Sequence, residues 1–432
     1  MTVAGAVTHL TQARTFASLR RHRNYRLYFE GQIVSISGTW MQNAAQGWLI
    51  LQLTHSAAAV GVLAVCQFAP FAVLGLAGGV VADRFDRRRT LLVTQAIPIV
   101  LASTLAGLAW SGRVTAWEVD LLAALYGLVL VVDTPARQAF TVEMVGRREL
   151  PNAVALNSSL FNASRIIGPG IGGLVISVAG VGACFAVNAA SYVAVLASLA
   201  AMDPSTLHGS GAARKRPTVL RGIGEGLAFA ARTPGVLVIL LMMLVIGTIS
   251  LNFNVIIPVL AGETLHSGAV TLGLLSAGFG LGALGGALIT ATIGGASFRL
   301  LLIGAFGVGV MELLIAPQRS IPAALALLMV CGVVFTLYAS NSNSSLQLQV
   351  PDHLRGRVMA LYAWVFFGTA PVGGYLAGWL SERGGTGLSL AVGGVTAMAT
   401  AAAGTLWYRW DRLPLGRHRR PAAVDPEALE AR

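Results

Sequence analysis

Gly79-Val-Val-Ala-Asp83-Arg84-Phe-Asp86-Arg87-Arg88-Arg89 joins two long apolar runs, 57–82 before it and 90–111 after it. Each run is about twenty residues or longer and almost free of charge, the length a helix needs to cross a hydrocarbon layer about 30 Å thick. A charged turn this short between two such runs reads as a hairpin of membrane helices with its loop in water. The pattern recurs along the 432 residues. Helices are expected at 26–53, 57–82, 90–111, 117–139, 153–178, 181–201, 235–261, 270–293, 299–316, 322–348, 358–380 and 387–409. Strand-type alternation for a barrel is absent. The expected fold class is an all-α membrane protein with twelve transmembrane helices in two pseudo-symmetric six-helix bundles.

Composition agrees. Hydrophobic residues make up 55% of the chain and charged residues 11%, and mean hydropathy is +0.71, well above that of a water-soluble domain. The net charge is +12, with Lys215 the single lysine among 30 basic residues. In a soluble chain that balance would suggest nucleic acid. Here the arginines sit in short gaps that fall almost entirely on one side if the N-terminus is cytoplasmic, as the positive-inside rule requires. Nucleic acid is therefore not an expected partner. The expected location is the inner (plasma) membrane, multi-pass, with both termini cytoplasmic and the chain a monomer among lipids. Cys66, Cys184 and Cys331 lie in apolar spans without paired or metal-ligand spacing, so neither a disulfide framework nor a metal site is indicated.

The organisation follows from the gaps. Residues 1–25 are basic and lack an apolar signal core, so they read as a cytoplasmic lead-in. Residues 26–202 form the first bundle and 235–409 the second. The linker 203–234 carries Arg214, Lys215, Arg216, Arg221 and Arg232, and its stretch 222–231 is expected to form a surface helix. The tail, 410–432, is basic and proline-containing, a composition that favours disorder. Duplication supports two bundles: Val145 to Leu156 (VGRRELPNAVAL) echoes Val350 to Leu361 (VPDHLRGRVMAL). Each copy precedes a helix with a proline and paired glycines, Pro169 with Gly172 and Gly173 in the fifth span, Pro371 with Gly373 and Gly374 in the eleventh.

Polar residues inside spans are the functional candidates, because they are costly against lipid. In the first span Gln32, Ser35, Thr39, Gln42 and Gln46 recur at spacings of three and four and are expected to line a central cavity. Asn188 and Tyr192 in the sixth span, Asn252 in the seventh, and Tyr338, Asn341 and Ser345 in the tenth extend that set. The competing reading for each is interhelical hydrogen bonding without substrate contact. Ser158, Asn162 and Arg165 make a stripe on the fifth span, with Arg165 deep enough to meet a substrate's negative charge. Asp133 and Arg137 stand at i and i+4 at the end of the fourth span and should pair with one another, or Asp133 with Arg87, either as part of an ionic latch or as a static pair. Glu30, Asp133 and Glu312 are taken as the acidic residues inside spans, so a proton-carrying carboxylate is sought among them. Gly280, Gly282 and Gly285 spell a dinucleotide-type glycine pattern, but without a preceding strand they read as close helix packing.

The opening stretch resembles motif A of the major facilitator superfamily, in Gly79, Asp83, Arg84, Arg87 and Arg88. That resemblance implies charged contacts holding the inner face shut. Ser164-Arg-Ile-Ile-Gly168-Pro169-Gly-Ile-Gly172-Gly173 is similar to the antiporter motif of drug and proton exchangers, with Ser164 where that motif has glycine. Ser37-Gly-Thr-Trp-Met-Gln42, Asp133-Thr-Pro-Ala-Arg-Gln138, Pro151-Asn-Ala-Val-Ala-Leu-Asn157 and Leu354-Arg-Gly-Arg-Val-Met359 resemble the branch that includes the enterobactin exporter and related drug or metabolite efflux proteins. The resemblance covers nearly the whole chain. It implies the major facilitator fold and outward movement of a small amphipathic molecule, driven by the proton gradient without a bound cofactor. An uncoupled facilitator or an importer of the same fold remains open. In the second half the turn Gly294-Gly-Ala-Ser-Phe-Arg299 keeps little of the motif A charge, so the inner gate is expected to be asymmetric. A nucleotide-driven pump is excluded by the lack of a P-loop lysine motif. A metal-dependent membrane enzyme lacks its clustered acids or histidines.

Overall fold

The computed structural model describes residues 16–208, 219–293 and 296–412; within these, the side chains of 76–77, 79–83, 219–223, 352–353 and 409–412 lie outside the description. Among the described residues, eight helical stretches are long and apolar enough to cross a membrane. The longest, Ala116–Ala200, reverses twice, at Gly146 (φ 69°) and Gly180 (φ 76°). The last reverses at Gly385 (φ 69°). Positive φ is open to glycine without Cβ strain, so these three residues allow reversals with almost no loop. They resolve the eight stretches into eleven passes. Arg23–Thr54, a long helix made less apolar by its glutamines, makes a twelfth, consistent with the expected number.

Several ends differ from the sequence reading. A short helix, Ala17–Arg21, precedes the first span, which itself begins at Arg23. The end of the lead-in is thus docked: Ser18 N donates to Asn152 Oδ1 at 3.1 Å, and Arg21 pairs with Glu149. The seventh span is not one helix. Pro234–Ile249 stops, Ser250 to Asn252 run non-helically, and Phe253–Val259 resumes before a π-helical turn over Leu260–Thr264. The linker helix covers Val219–Arg232, where Glu225 pairs with Arg357 at the start of the eleventh span. Arg214, Lys215 and Arg216 and the tail 413–432 lie outside the described residues.

Two kinds of packing assemble the bundles, and the paired glycines serve both. A Cβ on Gly172 would stand 3.0 Å from Met41 in the first span, within its own half, whereas one on Gly173 would stand 2.8 Å from Gly273 Cα in the eighth span of the other half. The eleventh span repeats the arrangement, with Gly373 against Asn252 of the seventh span and Gly374 against Ala64 of the second. Each pair therefore holds one contact inside a half and one between halves, as a pseudo-twofold axis demands.

The apolar core is distributed unevenly along the molecule. At the end opposite the arginines one cluster runs through both halves and includes Trp48, Val60, Ile176, Phe253, Leu260 and Leu272. At the arginine-rich end the core divides in two. Tyr25, Tyr28, Phe140 and Met144 pack in the first half, and Ile239, Tyr338, Val358 and Tyr362 in the second. The joined end is tightened by glycine contacts that bring backbones together: a Cβ on Gly61 would lie 2.7 Å from Gly374 O, and one on Gly378 2.6 Å from Ala57 O. Glu382 also accepts from Ser56 Oγ (3.0 Å) and Ala58 N (3.1 Å), placing a carboxylate at the start of the second span's helix.

Candidate functional site

Where the joined core gives way to the divided one, a cavity of about 60 Å³ lies between the halves. From the first half it is lined by Trp40, Asn43, Gln67 and Arg165, and from the second by Phe253, Asn254, Ser276 and Phe279, with Pro169 at its wall. Gln67 Nε2 donates to Asn43 Oδ1 at 3.1 Å. Arg165 is the charged group of this lining. Its guanidinium carbon stands 5.5 Å from the Trp40 ring, 4.8 Å from Phe279 and 5.1 Å from Phe335. Among the described residues it makes no ion pair. Cation–π contact supplies about 0.5–2 kcal/mol per ring and satisfies none of the five N–H donors. This guanidinium, held by aromatic faces from both halves, is free to receive an acceptor.

The other expected cavity residues are turned elsewhere. The first-span stripe faces the interior of its own half. Gln42 Oε1 accepts from Asn188 Nδ2 at 2.8 Å, Thr39 and Tyr192 share a hydrogen bond of 2.9 Å, and Gln32 accepts from Arg137. Ser35 and Gln46 are buried. In the second half, Asn252 donates to its own Thr248 carbonyl (2.9 Å), Asn341 Oδ1 receives Ser297 N (3.0 Å), and Tyr338 and Ser345 are buried. Asn162 likewise bonds back to Ser158 O at 2.9 Å. Only Arg165 of the expected cavity set lines the cavity. Neighbouring polar groups would satisfy a glutamine stripe as well as water does, so spacing identified the polar face without identifying what it meets. Asn43, Gln67 and Asn254, isolated polar residues near Trp40, Pro70 and the helix break, were missed. Their one sequence signal was their polarity inside apolar runs.

Gly168 packs on Trp40 of the first span, while Pro169 and Gly173 face the second half. The antiporter-like motif thus lies on the wall of the cavity. Gly280 is close to Ile166, with a Cβ there 2.7 Å from its side chain, in keeping with the packing reading of that glycine pattern.

At the arginine-rich end, Asp133 is 2% exposed and fully engaged. Oδ1 accepts from Thr94 Oγ1 (2.7 Å) and Gln95 Nε2 (2.8 Å), and Oδ2 from Arg137 Nη2 (2.6 Å) and Nε (3.1 Å). The mutual pair is the one formed. Arg87 meets Glu143 instead, an acceptor the sequence reading did not consider. Arg88 donates to Leu199 O at 3.0 and 2.8 Å, satisfying the carbonyl end of the sixth span. These contacts hold the first half to itself. Arg84 is exposed, and the surroundings of Gly79 and the side chain of Asp83 lie outside the description.

The carboxyls inside spans separate into distinct environments. Glu30 is exposed. Asp133 has both oxygens occupied, Oδ1 by Thr94 and Gln95 and Oδ2 by the Arg137 guanidinium. Glu312 is 0% exposed, with Ser250 Oγ donating to Oε1 at 2.8 Å and no partner on Oε2. Glu118 and Asp120 also fall within the fourth span's helix, contrary to the three-residue expectation. Glu118 closes a capping box with Thr115, and Asp120 is half-buried with Oδ1 unpartnered. Among the described residues no cluster of His, Cys, Asp or Glu could hold a metal ion.

A family model described as transmembrane secretion effector matches residues 13–417. The multidrug efflux pump Tap of Mycolicibacterium fortuitum is 29% identical over 361 residues, covering 81% of this chain and 87% of that protein. Macrolide efflux protein A of Streptococcus pyogenes is 23% identical over 373 residues, 84% of this chain and 92% of its own. The staphyloferrin A transporter of Staphylococcus aureus is 28% identical over 176 residues, 40% of this chain and 44% of its own. Among solved structures, a POT family transporter superposes with a TM-score of 0.72 at 12% identity, covering 90% of this chain and 97% of that one. A bacterial homologue of the human lysosomal transporter Spinster, in an inward-facing and unoccupied conformation, gives 0.71 at 13% identity, with 89% and 97% coverage. These structural likenesses establish the fold.

Proposed function

Because the chain belongs to the transmembrane secretion effector family of the major facilitator superfamily, we propose that it exports a small amphipathic molecule by alternating access, driven by the proton gradient. As a member of this family it is a multi-pass membrane transporter and not an enzyme. The observation that carries the proposal is the core that is continuous at one end and divided at the other, with the cavity at the junction. The positive-inside rule places the divided, arginine-rich end in the cytoplasm. The molecule then stands open to the cell interior and sealed outside, the state that loads an exported substrate. The arginines of the opening motif act in this reading as an inner gate, engaged within the first half here and available to the second half when the cleft closes.

The lining supports a neutral or anionic substrate with apolar bulk. Trp40, Phe253 and Phe279 offer apolar area, Asn43, Gln67 and Asn254 offer hydrogen bonds, and Arg165 offers a charge that a carboxylate can engage through two parallel bonds. Relatives named for multidrug efflux, macrolide efflux and staphyloferrin A transport support a small-molecule cargo.

The test compares small-molecule profiles of cells and medium in strains lacking and overproducing the protein, with and without a protonophore, using Asp83→Asn as the inactive control. A compound retained in cells that lack the protein, whose release stops with the protonophore, is the expected result. Release indifferent to the protonophore would identify an uncoupled facilitator, and a change confined to nutrient uptake would identify an importer. Arg165→Ala is expected to lower export of an anionic compound about tenfold or more, the loss of one charge-assisted pair. Full export by that variant removes Arg165 from the site.

A further inference from the structure

Glu312 belongs neither to the cavity lining nor to the ion pairs of the arginine-rich end, and its surroundings are unusual for an acid. It sits 14 residues into the ninth span, Phe298–Ile315, about 21 Å along the helix at 1.5 Å per residue. It is fully buried among the spans of the second half. From the seventh span Ser250 Oγ donates to Oε1 at 2.8 Å. From the twelfth, Gly393 leaves the space beside Oε2, where a Cβ would stand 2.5 Å away. From the tenth, the Cys331 thiol is the titratable group within electrostatic reach. Among the described residues no arginine, lysine or histidine pairs with it, and Oε2 has no partner at all. A carboxylate cannot be kept there on one hydroxyl donor, so the site holds the neutral acid.

We propose that Glu312 is the proton-binding carboxyl of the transport cycle and that the broken segment of the seventh span couples it to the substrate cavity. The proposal rests on the proton-driven reading above. Ser250, the hydrogen-bond partner of Glu312, is the first residue of the break. Directly after the break, Phe253 and Asn254 line the cavity. Between them Asn252 packs against Gly373 of the eleventh span, one of the paired glycines. A ligand pressing on Phe253 and Asn254 and a proton resting on Glu312 thus act on the same short stretch of backbone. Helical backbone on either side is held by a continuous ladder, whereas in the break Ser250 N and Leu251 N share the Ile246 carbonyl and Asn252 N turns back to Ser250 O, local bonds that a small rotation can exchange.

The step is a simple proton transfer. When the break moves, Ser250 withdraws and water reaches the carboxyl; the O–H bond breaks, its electron pair stays on the carboxylate, and the proton passes to that water. Substrate binding from the cytoplasm and proton release then favour one another, and linkage makes the effect reciprocal. That is the sign an exporter running against protons requires. Asp133 does not fit the role, because both of its oxygens are already occupied, one by Thr94 and Gln95 and the other by the Arg137 guanidinium.

The full chain in lipid nanodiscs tests this without a known substrate. Two readouts are taken in mildly acidic and in alkaline buffer: the infrared band of a protonated carboxyl, and the spin-label distance between the two halves at the arginine-rich end. In the wild type the band should persist through neutral pH, and the ratio of open to closed populations should change about threefold or more between the two buffers. Glu312→Gln should lack the band and keep the acidic distance distribution in both buffers. Glu312→Asp, which retains an acid, should show a displaced transition and so separates titration from misfolding. An unchanged pH response in Glu312→Gln, or a band that survives this substitution and vanishes in Asp120→Asn, overturns the proposal. Protonophore-insensitive export by the wild type would defeat the proton-driven reading itself. Protonophore-sensitive export with a normal pH response in Glu312→Gln defeats only the assignment of the site.

Discussion

Replacing Asp133 with asparagine removes one charge and almost no volume, so its effect isolates the ion pair with Arg137. Two of the four bonds to Asp133, those from Thr94 and Gln95, can survive on the amide oxygen. The two from Arg137 cannot, because the amide nitrogen would then face the guanidinium Nε and Nη2. Truncating one partner of a buried pair costs about 3–5 kcal/mol when the other is left without solvent. The Arg137 side chain keeps 28% of its exposure, however, and still donates to Gln32. Partial hydration lowers the expected cost to about 2–3 kcal/mol. Arg137→Gln alone strands the carboxylate, which is 3% exposed, and should cost at least as much. The double variant Asp133→Asn/Arg137→Gln restores a neutral amide pair across the same i, i+4 spacing and should recover about 1–2 kcal/mol relative to the sum of the singles. Thermal unfolding in detergent, followed by tryptophan fluorescence, gives the ordering. The double variant should lose about 1–2 kcal/mol less than the two single losses added together. Strictly additive losses would show that the pair carries no coupling and that the geometry at the end of the fourth span has been misread.

Two further outcomes follow from other parts of the molecule. Gly173→Val places a branched side chain where even a Cβ would be 2.6 Å from Ala269 O and 2.8 Å from Gly273 Cα. The protein should still insert and fold, since the contact lies between halves, but labelling of a cysteine placed near the sealed end should rise several-fold; unchanged labelling would remove this contact from the closure. At the other end, burial and then the neighbouring His208, at a ring distance of 5.9 Å, hold the His22 imidazole below its ordinary value of 6.5. The unfolded chain therefore takes up this proton before the folded one, so stability is unaffected above 6.5 and falls as pH drops from there through the lowered folded value. His22→Gln should flatten that acid-side loss in melts recorded across this range. Coincident profiles would show that His22 does not contribute.

The apolar runs, the arginine-filled turns and the repeated proline-glycine segments determined by themselves that this chain crosses a membrane many times in two related halves. Such features are local: a run of twenty apolar residues has one stable solvent, and a turn of arginines has one stable side. Gly172 and Gly173 could likewise be recognised as packing residues from their small size. Which half each one touches required the structure, because adjacent positions on a helix point about 100° apart. The same limit applied to the site. Gln42 and Asn188 were legible as polar residues inside spans, but only the tertiary structure revealed that they satisfy each other while Asn43, one residue along, meets the cavity. It also distinguished Asp133 from Glu312, two carboxyls of similar sequence setting. One is surrounded by donors from the third span and its own helix, and the other by a single serine at a break that no local pattern announced. Charge and hydrophobicity are properties of a residue, whereas hydrogen-bond satisfaction belongs to the neighbours that folding assembles around it.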